Sequence, residues 1–378
     1  MGQGSDFFQS MPESVSELNL EEPSKNDSIT GNLKIIVEQI MQSGFKLENA
    51  LPENYVTDAT VDYTSYIQNV LDNYCEVIFP PFPILINENG LSIPSGSKIV
   101  FSNGSILKLK PNKKGNYKIL EMRDVSNVFL NNPVIEGDRY NHLGTDGEWG
   151  MGIAIYSSKN IVINHPNIQF CWGDGIYIGK GNGLIPPENI IVDGGITNRN
   201  RRNNITITSG IGITIKNHTA SQADGTKPMA GLDIEPNSPE HIVDNIRILN
   251  LTTKNNAGKG IQIGLGRLMK NGFKMTNICI ENHIDINSDI AVVVSCPPIS
   301  KNEDTILYRN KSLITFLNPQ WADNDIVLKA SGFRTNAILL NLIAPRIFKQ
   351  YKELNRKDTK VELDRTLRSI ENVLIELN

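Results

Sequence analysis

The sequence predicts an all-β solenoid, a parallel β-helix, on three observations. The first is a repeat: Trp149-Gly150-Met151-Gly152-Ile153-Ala154-Ile155 returns as Trp172-Gly173-Asp174-Gly175-Ile176-Tyr177-Ile178. Its apolar-x-apolar core comes back as Ile205-Thr206-Ile207, Leu232-Asp233-Ile234 and Ile261-Gln262-Ile263, at intervals of 23, 29, 27 and 29 residues. A short period with insertions marks an architecture in which each repeat is one stacking unit. The second is the Ile-x-Ile alternation, which puts two branched side chains on one face of a strand and the residue between them on the other. The third is a companion set, Asn160–Ile163, Asn189–Val192, Gly212–Ile215 and Asn245–Ile248, following the first strands by short turns. No helical pattern separates these strands, which argues against a two-layer α/β domain. The Leu/Asn spacing of leucine-rich repeats is absent too.

Residues 1–57 read as an N-terminal extension carrying one helical pattern near Leu33–Met41. A second helix over Tyr66–Tyr74, with Ile67, Val70 and Leu71 on one face, is placed to cap the open end of the first coil. Strands then run from Glu76-Val-Ile-Phe79 and Ile84-Leu-Ile86 through Lys98–Phe101, Ser105–Leu109 and Val125–Val134 into the repeats. After Leu265 the spacing loosens, and strands resume at Met275–Ile280, Ile290–Val294, Leu313–Leu317, Ile326–Leu328 and Ala337–Ile343. The β-helix therefore occupies residues 58–345, and 346–378 form a charged, helix-favouring segment. There Leu363, Leu367, Ile370, Leu374 and Leu377 follow a heptad spacing. It reads as a helix docked on the last coil or, alternatively, as a short coiled coil that makes the chain a homotrimer.

Composition narrows the functional classes. With 39% hydrophobic and 21% charged residues among 378, the chain is neither disordered nor membrane-spanning. A net charge of −4 supplies no general attraction to nucleic acid or an anionic membrane, so neither is an expected partner. Cys75, Cys171, Cys279 and Cys296 lack CxxC spacing and read as buried free thiols. The N-terminus shows no basic and apolar signal-peptide regions, so the expectation is a cytoplasmic or a virion-associated protein, phage or prophage. His142, His165, His218, His241 and His283 form no metal-binding motif, and Gly173-x-Gly175 belongs to a coil turn rather than a phosphate loop. Neither a metal nor another cofactor is expected.

The run from Asp58 through Val77-Ile-Phe-Pro-Pro81 to Ile93-Pro-Ser-Gly-Ser-Lys-Ile99 resembles the opening segment of pectin-lyase-like right-handed β-helix proteins. Trp172-Gly-Asp-Gly, Asn200-Arg-Arg-Asn203 and Ala230-Gly-Leu-Asp-Ile-Glu-Pro-Asn237 resemble glycan-degrading members, including bacteriophage tailspike depolymerases. The resemblance covers residues 58–300 and implies a right-handed coil and a polysaccharide substrate. The Asn-Thr-Asp, Asp-Asp, Gly-His-Gly and Arg-Ile-Lys blocks of galacturonase-type members are missing, so pectin hydrolysis by that scheme is not implied.

Aligning the coils shows which residues share a surface, since stacked strands lie about 4.8 Å apart. One column reads Met151, Asp174, Asn203, Ala230, Lys259, and another Trp149, Trp172, Arg201, Pro228. Outward strand positions read Ala154, Tyr177, Thr206, Asp233, Gln262, and then Tyr156, Gly179, Thr208, Glu235, Gly264. Asp233 and Glu235, two apart on one strand, project to the same face with backbones about 6.6–6.8 Å apart. Their carboxyl groups can reach either about 5–5.5 Å or about 6.5–9.5 Å, the separations of retaining and inverting glycosidases. Like charges so placed raise one pKa, as a general acid requires.

Asp174 is a third catalytic candidate, or else a turn residue in Gly-Asp-Gly. Arg201 and Arg202 either hold an acidic substituent bidentately or neutralise the nearby carboxylates. Trp149 and Trp172 are either sugar-stacking platforms or turn packing, and Tyr177 and Lys259 complete the substrate-binding set. The expected function is carboxylate acid/base hydrolysis of an extended bacterial surface glycan. The alternatives are a lyase, in which Arg201, Arg202 or Lys259 neutralises a uronate, and a non-catalytic glycan-binding or virion structural module.

Overall fold

The computed structural model describes residues 24–268, 274–295, 312–331, 338–343 and 373–376. Among them, three parallel sheets of twelve, nine and nine strands form the walls of one solenoid. Each coil contributes one strand to each wall. Ser126–Asn131, Val134–Glu136 and Trp149–Tyr156 make one coil, and Lys159–Asn164, Asn167–Gln169 and Ile176–Gly179 the next. The Ile-x-Ile repeats build the third wall. Its register pairs Ile153 with Ile176, Ile176 with Ile205, Ile205 with Leu232 and Leu232 with Ile261, so the columns expected from the sequence are real rows in space.

Alternation decides the inside. Ile153, Ile176, Ile205, Leu232 and Ile261, with Ile155, Ile178, Ile207, Ile234 and Ile263, are all fully buried in the common core. Burial of each such side chain stabilises by about 1.5–3 kcal/mol. The corners need left-handed backbone. The turn between the first and second walls repeats it at Asn132, His165, Gly194, Asn217, Asn250, Asn282 and Asn318. Asparagine tolerates that conformation best among side-chain-bearing residues. The rows also bond to one another: Asn250 Nδ2 donates to Asn217 Oδ1 at 2.9 Å and Asn282 Nδ2 to Asn250 Oδ1 at 3.0 Å.

Helix α1, Ser24–Ser43, lays Leu33, Ile36, Val37 and Ile40 against Ile78, Val100 and Phe129 on the outside of the first wall. Helix α2, Thr64–Asn73, buries Ile67, Val70 and Leu71 in the main core beside Leu47, Val77 and Leu91. Sheet structure begins earlier than expected, because Phe45–Lys46 pairs with Val77-Ile78 inside the predicted extension.

Two further expectations change. Cys171 is buried as expected, but Cys75 is exposed and Cys279 half-buried, and Cys296 lies outside the described residues. Of the C-terminal segment only Val373–Glu376 is described, and it is a strand paired in parallel with Ile338–Ile343 rather than part of a helix. A three-residue run of Val, Leu and Ile satisfies an open sheet edge as readily as a heptad seam. The rest of 344–378 lies outside the described residues.

Candidate active site

Strand pairing on the third wall sets Tyr177 against Thr206, Thr206 against Asp233 and Asp233 against Gln262. Over these outward positions lies a cavity of about 580 Å³ lined by, among others, Glu148, Trp149, Asp174, Tyr177, Arg202 and Glu235. Six named residues thus come from four successive coils, which is why no sequence window contains the site.

Arg202 organises the cavity. Its Nη1 donates to Asp174 Oδ2 at 3.1 Å and contacts Oδ1 at 3.3 Å. Nη2 lies 3.8 Å from Glu235 Oε2 and 3.9 Å from Asp233 Oδ2, and Nε lies 3.8 Å from Glu148 Oε2. One guanidinium therefore faces four carboxylates. Fixed geometry and low hydration suit arginine to this position better than lysine. Among the described residues no three His, Cys, Asp or Glu side chains converge as a metal-ligand set.

Asp174 is buried at the cavity floor. It also accepts a bond from the Asn203 amide at 3.1 Å and one from the Thr206 hydroxyl. Burial raises its carboxyl above the usual carboxylate range, and Arg202 opposes that shift. Glu235 differs: its side chain is 44% exposed and reaches solvent at the cavity mouth.

Asp233 departs from expectation. It points outward from the strand yet is 0% exposed and does not line the cavity. Asn203 Nδ2 donates to its Oδ2 at 2.9 Å and Gln262 Nε2 to its Oδ1 at 3.0 Å. Rows of neighbouring coils cover it, because outward on a stacked wall is not the same as exposed. The cavity carboxylates are thus Glu148, Asp174 and Glu235, and Asp233 is not among them.

Burial, with Glu235 next, raises the Asp233 carboxyl. A group whose folded pKa exceeds its unfolded value adds stability that is full below the unfolded pKa and lost as pH rises through the folded one. Buried His218 and His283 run the other way. Desolvation lowers them to about 4 and about 3, so their stability is full above 6.5 and lost as pH falls through those values. Above about pH 6.5 the carboxyl contribution alone changes. The thermal midpoint should therefore fall between about pH 6.5 and about pH 8, and Asp233→Asn should lessen that slope, with Asp174 and Asp285, raised in the same direction, keeping the rest. A midpoint rising over this interval contradicts the assignment.

The remaining predicted residues divide. Tyr177 lines the cavity, with its hydroxyl 3.0 Å from Thr208 Oγ1. Trp149 is 50% exposed and lines it too. Trp172 does not: His142 stacks on its ring at 3.9 Å and Arg201 Cζ sits 3.8 Å from the ring centroid, so its faces are occupied by protein. Arg201 Nη1 donates to the carbonyls of Gly147 and Trp172 at 2.9 and 3.3 Å, outside the cavity. The Arg201-Arg202 pair is split, since consecutive residues of an extended turn face opposite ways. Lys259 lines a separate recess with Lys227 and Asp289, although the charges of Asp233 and Glu235 still reach it.

Two residues were missed. Glu148 immediately precedes the Trp149 repeat, and starting the aligned columns one residue earlier in the same coil would have reached it. Arg267 lines the cavity from beyond the last regular repeat, where no column points to it.

No protein-family model matches the chain. The SPbeta prophage-derived uncharacterized protein YorA of Bacillus subtilis (strain 168) is 29% identical over 162 residues, covering 39% of this chain and 28% of that protein. The uncharacterized protein YclG of the same organism is 27% identical over 233 residues, covering 54% of this chain and 40% of that protein. The aligned regions thus span well under half the length of either relative. Among solved structures, the N-terminal fragment of bacteriophage Phi29 gene product 12 matches with a TM-score of 0.52 at 13% identity, covering 84% of this chain and 60% of that one. The fold is that of the right-handed parallel β-helix proteins, as the resemblance implied, and one of the relatives is prophage-derived. Among the described residues no helix is long and apolar enough to cross a membrane.

Proposed function

We propose that the chain is a polysaccharide-cleaving enzyme that hydrolyses an extended glycan lying along the third wall, with Asp174 and Glu235 as the reacting carboxylates. The observation that carries this reading is their placement on either side of Arg202 in one cavity, one buried and one open to solvent. Different environments push two carboxylates toward different roles. Asp174, raised by burial, is the general acid that protonates the leaving oxygen, and Glu235 is the base or nucleophile. Trp149 and Tyr177 offer aromatic faces for sugar rings. Asp233 is a positioning residue, fixing Asn203 and Gln262 beneath the floor. A wall of repeated coils suits a repeating polymer, because each sugar meets a similar rung.

The carboxylates on either side of Arg202 are what supports hydrolysis over β-elimination. A lyase needs a free cation for the uronate carboxylate, and Arg202 is already engaged by four carboxylates. Arg201 and Lys259 lie outside the cavity lining, so Arg267 is the lining cation that a lyase would use. The test is incubation with bacterial capsular and O-antigen glycans, followed by reducing-end assay and mass spectrometry of the products. Saturated oligosaccharides are expected. Products carrying the ultraviolet absorbance of an unsaturated uronide would replace this reading with the lyase. Glycan binding without new reducing ends would replace it with a non-catalytic module.

A further inference from the structure

A second recess of about 240 Å³ adjoins the carboxylate cavity and shares Trp149 and Tyr177 with it. Its character is opposite. Lys118, Arg123, Asn116 and Asn182 supply donors, and no carboxylate lines it. We propose that this recess is the subsite for a negatively charged substituent of the glycan, so that the polymer cleaved is an acidic one. The inference deepens the cleavage reading and rests on it for the ligand being a glycan.

Lys118 is the strongest sign. Its Nζ contacts Asn116 Oδ1 and, at 3.5 Å, the Trp149 carbonyl, and it forms no ion pair among the described residues. Other lysines along the solenoid do pair: Lys98 with Glu76 at 2.9 Å, Lys108 with Glu136 at 3.1 Å and Lys216 with Asp193 at 3.1 Å. A half-buried ammonium without a direct ion pair costs solvation, and burial lowers its pKa although the charge of Glu121 opposes the shift. An anionic ligand would supply that pair. Arg123 is held in place beside it by Glu121 at 2.6 Å and lies over the Tyr156 ring at 4.2 Å. With Glu121 counted, the recess and its support keep one net positive charge.

Register gives the distance along the polymer. Lys118 pairs with Met151 on the third wall. Met151 and Asp174 each stand two residues before the paired Ile153 and Ile176, so Lys118, Met151 and Asp174 occupy one column. Two rungs place Lys118 about 10 Å from the Asp174 position along the axis, on the scale of a disaccharide. Trp149, lining both recesses, lies at their junction. The cleaved bond and the recognised charge therefore fall on neighbouring sugars.

Binding is measured by calorimetry with the full-length Glu235→Gln chain, so the subsite is judged apart from cleavage. The probes are oligosaccharides of hyaluronan, alginate and polygalacturonate, each beside its carboxyl-reduced derivative, with dextran sulfate as the sulfate arm. At least one acidic probe is expected to bind about tenfold or more tightly than its neutral counterpart. Lys118→Met, and independently Arg123→Gln, should remove that preference without weakening the neutral probe, in a chain that still unfolds cooperatively. Preference for dextran sulfate alone would keep the anion subsite and make the substituent a sulfate. Equal binding of acidic and neutral forms, no binding of any acidic probe, or an unchanged preference in both variants overturns the proposal. Recess-dependent binding in a wild-type chain that cleaves nothing would sustain the subsite and remove the cleavage reading.

Discussion

Glu235→Gln is expected to lower kcat on the cleaved glycan by about 10²–10⁴-fold, the usual loss when a general acid or base is removed. The side chain is half exposed at the cavity mouth, and its carboxylate lies 3.8 Å from Arg202, so the amide is nearly isosteric and the fold should hold. Exposed substitutions of this kind stay within about 0.5 kcal/mol. The thermal midpoint is thus the control for the activity measurement. Asp174→Asn should cost a comparable factor in kcat, but with some loss of stability, because a buried amide cannot replace the ion pair with Arg202. Asp233→Asn is the discriminating variant. If Asp233 only positions the floor, its loss falls well short of that of Glu235→Gln. Loss equal to that of Glu235→Gln, with near-wild-type activity in Asp174→Asn, would exchange their roles.

That exchange matters because it measures what the sequence could and could not convey. Inward and outward alternation is written locally, two residues at a time, and the repeat interval carries the register. Asp174, Arg202, Asp233 and Glu235 can therefore be assigned to one surface from the sequence alone. Depth is not written locally. Whether an outward Asp is exposed depends on the rotamers of the rows above and below it. Asp233 is covered by the amides of Asn203 and Gln262, residues 30 and 29 positions away. The same limit hid the difference between the two tryptophans. Trp172 shares its motif with Trp149, but the loop that supplies His142 folds back onto Trp172 alone. Insertions between coils obey no period, so their contacts are invisible to column alignment. Lys118 was missed for a different reason: its coil lacks the Trp-Gly-x-Gly signature, although its strand pairs in register with the one that has it.

Arg202→Met should be the most destabilising single change at the site. Replacing one partner of a buried ion pair leaves the other charge uncompensated and costs about 3–5 kcal/mol. Here the guanidinium faces Asp174 and Asp233, both fully buried, as well as Glu148 and Glu235. The variant has an escape, which is to hold the buried carboxyls protonated. Their folded pKa values then rise further above the unfolded ones, so the stability they contribute is full at low pH and lost as pH rises through the raised values. The deficit relative to wild type should thus be small near pH 4 and large near pH 8, about 4 and about 8 being the practical limits of the window set by the ordinary and raised carboxyl ranges. Urea unfolding at both pH values measures it. Arg202→Lys should fall between, since one ammonium retains the charge but cannot present the guanidinium fork to both sides of the cavity. A deficit independent of pH would mean that Arg202 acts through packing of its stem, and the electrostatic organisation assigned to the cavity would have to be abandoned.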